Sequence, residues 1–352
     1  MYPGKAGPRD NQFINLMVQA LRSESARVRE WNHYYSARRP DIFHVHWPER
    51  IPFVRQRPYE QLRGDIMAAN FFRTIDRVRR SGGKLVWTVH NLKPHDRRLR
   101  NDAFYQAFMD RFVPCVDLCI SLTEAGIGPI LAAYPALECA PFRVVRHPHY
   151  RSVLRKEPRD PQLRAALGIR KDQVVFSMLG SLRASKQPLR VAQEFVRLEH
   201  DRFHLLLAGN TDPSTAESLR ATLGGRTNCT LELRTLSETE LLARYALTDI
   251  CVFAATDYFN SGSIYTSLSL DVPVLAADTP VNRELRQIVG TEWLHLCSAE
   301  LSSPVFEQAE RELVRPSPAD RCDLSAFDPS YCAREQVSAY WDALESASVV
   351  SP

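Results

Sequence analysis

Histidines and carboxylates gather in two short stretches of the first half of the chain. One is His44-Val45-His46-Trp47-Pro48-Glu49, and the other is Thr88-Val89-His90-Asn91-Leu92-Lys93-Pro94-His95-Asp96. Each follows an apolar run and meets a proline, so each reads as a strand running into a loop, where rigid scaffolds carry their sites. Period-two alternation puts His44 and His46 on one face. His46 and Glu49 then stand at the carboxyl edge of a sheet. Imidazole and carboxylate groups there suit hydrogen bonding to acceptor hydroxyls or general-base work; a satisfied structural histidine and a surface glutamate are the plainer alternative. His90 and His95 have the chemistry to ligate a metal, but their spacing matches no zinc signature, and no metal is expected.

The second half offers two loops of another kind. Gly180-Ser181-Leu182-Arg183-Ala184-Ser185-Lys186 and Asp257-Tyr258-Phe259-Asn260-Ser261-Gly262-Ser263 each follow an apolar run and precede a helical stretch. A turn carrying two cations before a helix suits a diphosphate. Small residues at 260–263 let backbone N–H groups approach an anion with a helix dipole behind them. A plain N-cap role also accounts for Ser261 or Ser263. The GxxxxGK[ST], GxGxxG and GxSxG patterns are absent, and so is any Asp-x-Asp pair that would carry a divalent metal to a nucleotide.

Such loops need rigid elements before and after them. Apolar runs at 41–46, 84–89, 116–121 and 142–146 alternate with helix-period stretches at 11–24, 59–80 and 101–113. Further runs at 174–179, 203–208, 229–233, 249–254, 273–276 and 293–296 alternate with stretches at 187–199, 213–223, 237–247, 263–270 and 280–289. This alternation predicts parallel sheets covered by helices on both faces. The polar segment at 150–170 separates two halves. The expected class is α/β, with Rossmann-like domains at 1–155 and 156–330 and a helix in 331–352 returning to the first. Two facing domains would place ligands at the carboxyl ends of their strands, in an interdomain cleft. At the start, only Met1-Tyr2-Pro3 precedes a turn and a helix, so the opening strand of such a domain is nearly absent or clipped.

Composition narrows the classes. The 352 residues suit about two domains of ordinary size. No apolar stretch reaches the roughly 18 residues of a membrane span, and the N-terminus lacks the apolar core of a signal peptide. Eight cysteines are scattered without a CxxC pair, which reads as buried thiols of a reducing compartment. The net charge of +4 hides an asymmetry: residues 1–150 hold 23 Lys and Arg against 14 Asp and Glu, the remainder 22 against 27. A basic first half points to an anionic partner or to an ordinary Arg-rich surface.

Taken in order, DNQFINLMVQAL, HVHWPE, VWTVHNLKPHD, RHPHYRSV, LGSLRASK, NSGSIYTSLSLDVPVLAADTPVNRELRQIVG and EW resemble the GT-B glycosyltransferases. Within these, they are most similar to the xanthan-type GDP-mannose:glycolipid β-1,4-mannosyltransferase family. The match runs from about residue 10 to residue 296. The chain departs from the family pattern at several points. Gln12 and Phe13 stand for a Pro-Tyr, Ser185 for the Tyr before Lys186, Gln187 for the Gly after it, and Asp96 for a Glu. The paired Glu of retaining GT-B enzymes would fall on Tyr258 and Thr266, and neither is acidic, which favours inversion.

The resemblance implies transfer of a hexose, mannose above others, from a nucleotide diphosphate sugar, with no cofactor. Arg183, Lys186, Asn260, Ser261, Gly262 and Ser263 would hold the diphosphate. Asp96, or failing it Glu49, would be the base, with His46 and His90 orienting hydroxyls and His95 and His147 also in the cleft. The acceptor would be a glycan, carried on a polyprenyl diphosphate at the inner face of the cytoplasmic membrane. Arg73, Arg77, Arg80, Lys84, Arg97, Arg98 and Arg100 would meet anionic lipid there at about 1 kcal/mol each. Two alternatives stay open: a nucleic-acid-binding module, for which no motif or stacking platform is evident, and an inactive GT-B partner subunit, against which Lys186 and the Asn-Ser-Gly-Ser run argue.

Overall fold

The computed structural model describes residues 11–29, 31, 40–51, 58–94, 103–198, 201–256, 259–298, 301–313 and 321–345. The chain forms two compact units, one of residues 1–148 with 326–352 and one of residues 149–325. Every apolar run named above forms a strand whose ends fall within two residues of the expected ones.

Unit 1 opens with α1 (Gln12–Ser23). Asn11 caps it, its Oδ1 accepting from Phe13 N at 3.1 Å. Then come β1 (Ile42–Val45), α2 (Pro58–Arg80), β2 (Lys84–Thr88), α3 (Ala103–Phe112), β3 (Leu118–Ser121), α4 (Ile127–Ala133) and β4 (Phe142–Val144). The sheet order is β1-β2-β3-β4, all parallel. Lys84 is buried at the start of β2, so it does not join the basic surface expected of it.

Unit 2 runs through α5 (Pro161–Ala166), β5 (Val174–Leu179), α6 (Pro188–Val196), β6 (Phe203–Ala208), α7 (Pro213–Leu223) and β7 (Cys229–Glu232). It continues with α8 (Glu238–Leu247), β8 (Ile250–Phe253), α9 (Gly262–Ser269), β9 (Val274–Ala277), α10 (Pro280–Val289), β10 (Leu294–Cys297) and α11 (Pro304–Glu312). Its parallel sheet has the order β10-β9-β8-β5-β6-β7. The continuous apolar runs of β5 and β6 are buried along their whole length, as a doubly covered sheet requires. Phe176, Phe195, Phe203 and Phe306 pack edge to face in its core at 5.1–5.7 Å. The chain then returns to unit 1 as α12 (Pro329–Glu345), which packs on α1.

The unit boundaries differ from the expected 155/156 and 330/331, and Asp271 supplies the reason. Its carboxylate is fully buried in unit 2 and pairs with Arg151, with Arg321 at 3.0 Å and with Lys156 at 3.9 Å. Cys322 N donates to it as well, at 3.2 Å. A buried carboxylate needs such compensation. The cluster therefore fastens the first residues of unit 2 to its last, so the polar segment expected as a linker belongs to the unit it precedes. The thiols also differ in part from expectation: all eight are free, but Cys139 is exposed and Cys115 and Cys229 are half-buried.

Strand numbering diverges in both directions from β5 and β8, so the gap between their carboxyl ends is the switch point of the sheet, where open α/β folds bind ligands. Gly180 and Gly209 shape it. Gly209 has φ +151, and a Cβ there would lie 1.5 Å from the Gly180 carbonyl oxygen. The loop after β5 is pinned in turn by Leu182 N to Asn210 O at 2.8 Å and by Thr211 Oγ1 to Leu182 O at 2.7 Å. Gly209→Ala is expected to destabilise unit 2 by about 1–3 kcal/mol, the usual cost of overpacking, and to weaken any ligand held by the 180–186 loop. Thermal melts with and without nucleotide check both; unchanged melts would mean that the two backbones can separate at little cost.

Candidate active site

An open pocket lies at this switch point, where open α/β sheets bind their ligands. Ser181, Leu182 and Lys186 line it from the loop after β5, and Phe253, Ala255 and Ser261 from the end of β8 and the loop after it. The Lys186 ammonium makes no hydrogen bond or ion pair among the described residues; its backbone N donates to Arg183 O at 2.8 Å. Burial, then the neighbouring Arg183, pulls its ammonium down to about 8. A desolvated cation without an acid partner is a site prepared for an anion. Arg183 is exposed, its Nε donating to Ser181 Oγ at 3.1 Å, and it does not line the pocket.

Across the pocket, α9 begins at Gly262 with Ser261 as its N-cap, and the Ser261 side chain makes no capping hydrogen bond. The plain capping role for Ser261 therefore does not hold here. The leading amides of α9 lack the N-cap side-chain acceptor that usually satisfies one of them, and the helix dipole adds partial positive charge. Asn260, Gly262 and Ser263 sit on the same loop and first turn. Asn282, on α10, also lines the pocket; its Nδ2 donates to Ala277 O at 2.8 Å. Asn282 carries no loop signal in the sequence, since it lies in the first turn of α10.

In unit 1 the sheet edge gathers five rings. His46, one residue past β1, places Nδ1 3.0 Å from Nε2 of His90, two residues past β2. Trp47 stacks on His90 with centroids 4.2 Å apart. Phe13, in the first turn of α1, touches His46, His90 and His147 at 5.6, 4.8 and 5.0 Å. Phe13 thus occupies the centre of the cluster, a role that the helix-opening motif hinted at without specifying.

Burial holds His46 well below the usual imidazole range, with His44 adding to the effect. His147 is lowered by burial to about 4, against the opposing pull of its bond to Pro148 O at 2.8 Å. These rings are neutral at pH 7. His46 Nε2 is buried and has no hydrogen-bond partner among the described residues. Such a group is costly to leave unpaired. Glu49 lies on the turn after His46, and its Oε1 accepts from Asn91 Nδ2 at 3.2 Å, which ties the two sequence clusters together. Asp96 and His95 lie outside the described residues.

No family profile matches the sequence. The chain is 25% identical over 314 residues to the GDP-mannose:glycolipid 4-beta-D-mannosyltransferase of Xanthomonas campestris pv. campestris, covering 87% of this chain and 81% of the relative. Among solved structures, trehalose-6-phosphate synthase of E. coli bound with UDP-2-fluoro glucose aligns with a TM-score of 0.56 at 11% identity, over 97% of this chain and 94% of that one. Sucrose-phosphate synthase of Thermosynechococcus elongatus aligns with a TM-score of 0.54 at 15% identity, over 97% and 78%. A trehalose-6-phosphate synthase studied for glycosyl transfer with retention aligns with a TM-score of 0.52 at 12% identity, over 84% and 78%. The fold is GT-B, and the chain is a glycosyltransferase.

Proposed function

We propose that this GT-B glycosyltransferase moves a mannosyl group from GDP-mannose to a lipid-linked glycan, with inversion and without a metal. The observation that carries the reading is the switch-point pocket, lined both by Lys186, whose ammonium has no acid partner among the described residues, and by Ser261 at the start of α9. Those groups take the charge of a diphosphate leaving group, the largest electrostatic demand of the reaction. The sugar and the lipid acceptor rest on the Xanthomonas relative. Inversion rests on the run from Tyr258 to Leu270, which contains no Asp or Glu and so no carboxylate for the retaining pattern; the retaining synthases share the fold alone.

The test is a thermal-shift panel of GDP, UDP, ADP and their sugars, since a ligand that binds only the native state raises its melting temperature by mass action. GDP and GDP-mannose are expected to give the largest shifts. A larger shift with UDP or ADP would overturn the donor assignment. A product whose new linkage is α, read by NMR from the α-linked donor, would overturn inversion.

Peripheral membrane contact belongs to the same reading. No helix among the described residues is long and apolar enough to cross a membrane. On α2, Leu62 and Ile66 are 62% and 48% exposed, and helical spacing carries their stripe on to Arg73, Arg77 and Arg80. Apolar anchors followed by a row of guanidinium groups suit an anionic lipid surface. Leu62→Ser with Ile66→Ser is expected to cut co-sedimentation with phosphatidylglycerol vesicles about tenfold or more, from the lost burial of two side chains. Unchanged sedimentation would exclude this face.

A further inference from the structure

We propose that Tyr340 and Gln336, on the C-terminal helix, are positioning residues that set the tautomer of His44 and through it the orientation of the His46–His90 pair. The inference rests on the functional reading of that pair but is carried by a different observation. Gln336 Nε2 donates to Tyr340 Oη. With its lone pair engaged, Tyr340 turns its own hydrogen toward His44 Nδ1, 2.6 Å away. His44 therefore keeps its proton on Nε2 and donates it to Thr88 Oγ1 at 2.8 Å. The hydrogen bonds run one way, from Gln336 to Tyr340 to His44 to Thr88.

Each member of this chain is held. His44 and Gln336 are 2% exposed and Thr88 is 1% exposed. Burial also keeps His44 far below the usual imidazole range, so its ring stays neutral and acts through its tautomer, not its charge. The ring lies 4.2 Å from that of His46 at an interplanar angle of 31°, so a flip or tilt of His44 moves the surface on which His46 rests. His46 in turn presents its unpartnered Nε2 and bonds His90. A side chain 296 residues away in sequence thus fixes the geometry of the cluster. Groups that orient a site in this way commonly carry a factor of about 10–100 in activity.

The experiment labels the histidine ring nitrogens with ¹⁵N and reads the His44 tautomer by NMR, alongside steady-state transfer from GDP-mannose. The wild-type protein is expected to show His44 as the Nε2–H tautomer, with Nδ1 accepting. In Tyr340→Phe, Gln336 Nε2, 3.4 Å from His44 Nδ1, is the only substitute donor within the network, so the loss is partial; Tyr340→Phe with Gln336→Leu removes both. The single variant is expected to lower kcat about tenfold and the double variant further, with the donor KM unchanged, because the pocket in unit 2 is untouched. Thr88→Val, at the other end, should move the His44 signals and kcat in the same direction. Trp341→Ala, on the same helix and 60% exposed, should change neither.

An Nδ1–H tautomer in the wild type overturns the relay whatever the activity. Wild-type kcat in a folded double variant overturns it as well. Absence of GDP-mannose transfer by the wild type, with the expected tautomer present, would instead strike at the proposed function and leave the relay standing.

Discussion

Asp96→Asn is expected to lower kcat by about 10²–10⁴, the usual worth of a general base, while nucleotide still raises the melting temperature as in the wild type. An inverting displacement needs one group to take the proton of the attacking hydroxyl. His46 and His147 are poor candidates by basicity: burial keeps both neutral and weakly basic. They are better suited to accept or donate hydrogen bonds to hydroxyls already in place. Carboxylates remain, and two belong to the paired clusters. Glu49 is engaged, its Oε1 accepting from Asn91; a Gln there keeps an oxygen for the same bond, so Glu49→Gln is expected to stay within about threefold of wild type, the loss of one modest hydrogen bond at most. Asp96 follows the same loop by five residues. If Glu49→Gln is the inactive variant and Asp96→Asn the mild one, the base is Glu49. If both are mild, neither carboxylate is the base.

The two clusters and the two loops could be read from sequence because each sits directly after an apolar run, and strand ends are set by local pattern. The same locality explains what escaped. His44 was read only as sharing a face with His46. Its partners Tyr340 and Gln336 lie nearly 300 residues away on a helix whose outward signals are ordinary. Asp271 carries no local signal in the sequence, yet it is the buried anion that draws Arg151 and Arg321 together. Gly209 carried no motif; its need for glycine comes from a neighbouring backbone. Gln187 is the reverse case. As a substitution for a family glycine it suggested an altered donor loop, but its backbone is left-handed at φ 58. A non-glycine residue tolerates that conformation at roughly 1–2 kcal/mol, so Gln187 holds a left-handed turn of the kind glycine adopts freely.

Lys186→Ala is expected to raise the donor KM about 10–100-fold and to lower kcat as well. A charge-assisted hydrogen bond contributes roughly 1.5–3 kcal/mol, and the charge on the leaving diphosphate grows as the sugar departs, so part of the contact strengthens in the transition state. The pH dependence separates this from a packing defect. The Lys186 ammonium titrates at about 8 in the free protein, lowered first by burial and then by Arg183. Below that pH the cation is present, and donor capture is at its best. As pH rises through 8 the amine loses its proton, so kcat/KM for the donor should fall by up to tenfold per unit. Lys186→Arg should hold its level to higher pH, since a guanidinium stays charged, and Lys186→Ala should show no such limb. Stability moves the opposite way. The folded protein binds this proton less tightly than the unfolded chain, whose lysine titrates near 10.4, so the ligand-free wild type gains stability relative to Lys186→Ala as pH rises from about 8 towards 10. Donor affinity lost and fold stability gained over the same interval are the paired signature of one desolvated cation waiting for its anion. A donor kcat/KM flat from pH 7 to 9 would remove Lys186 from the diphosphate.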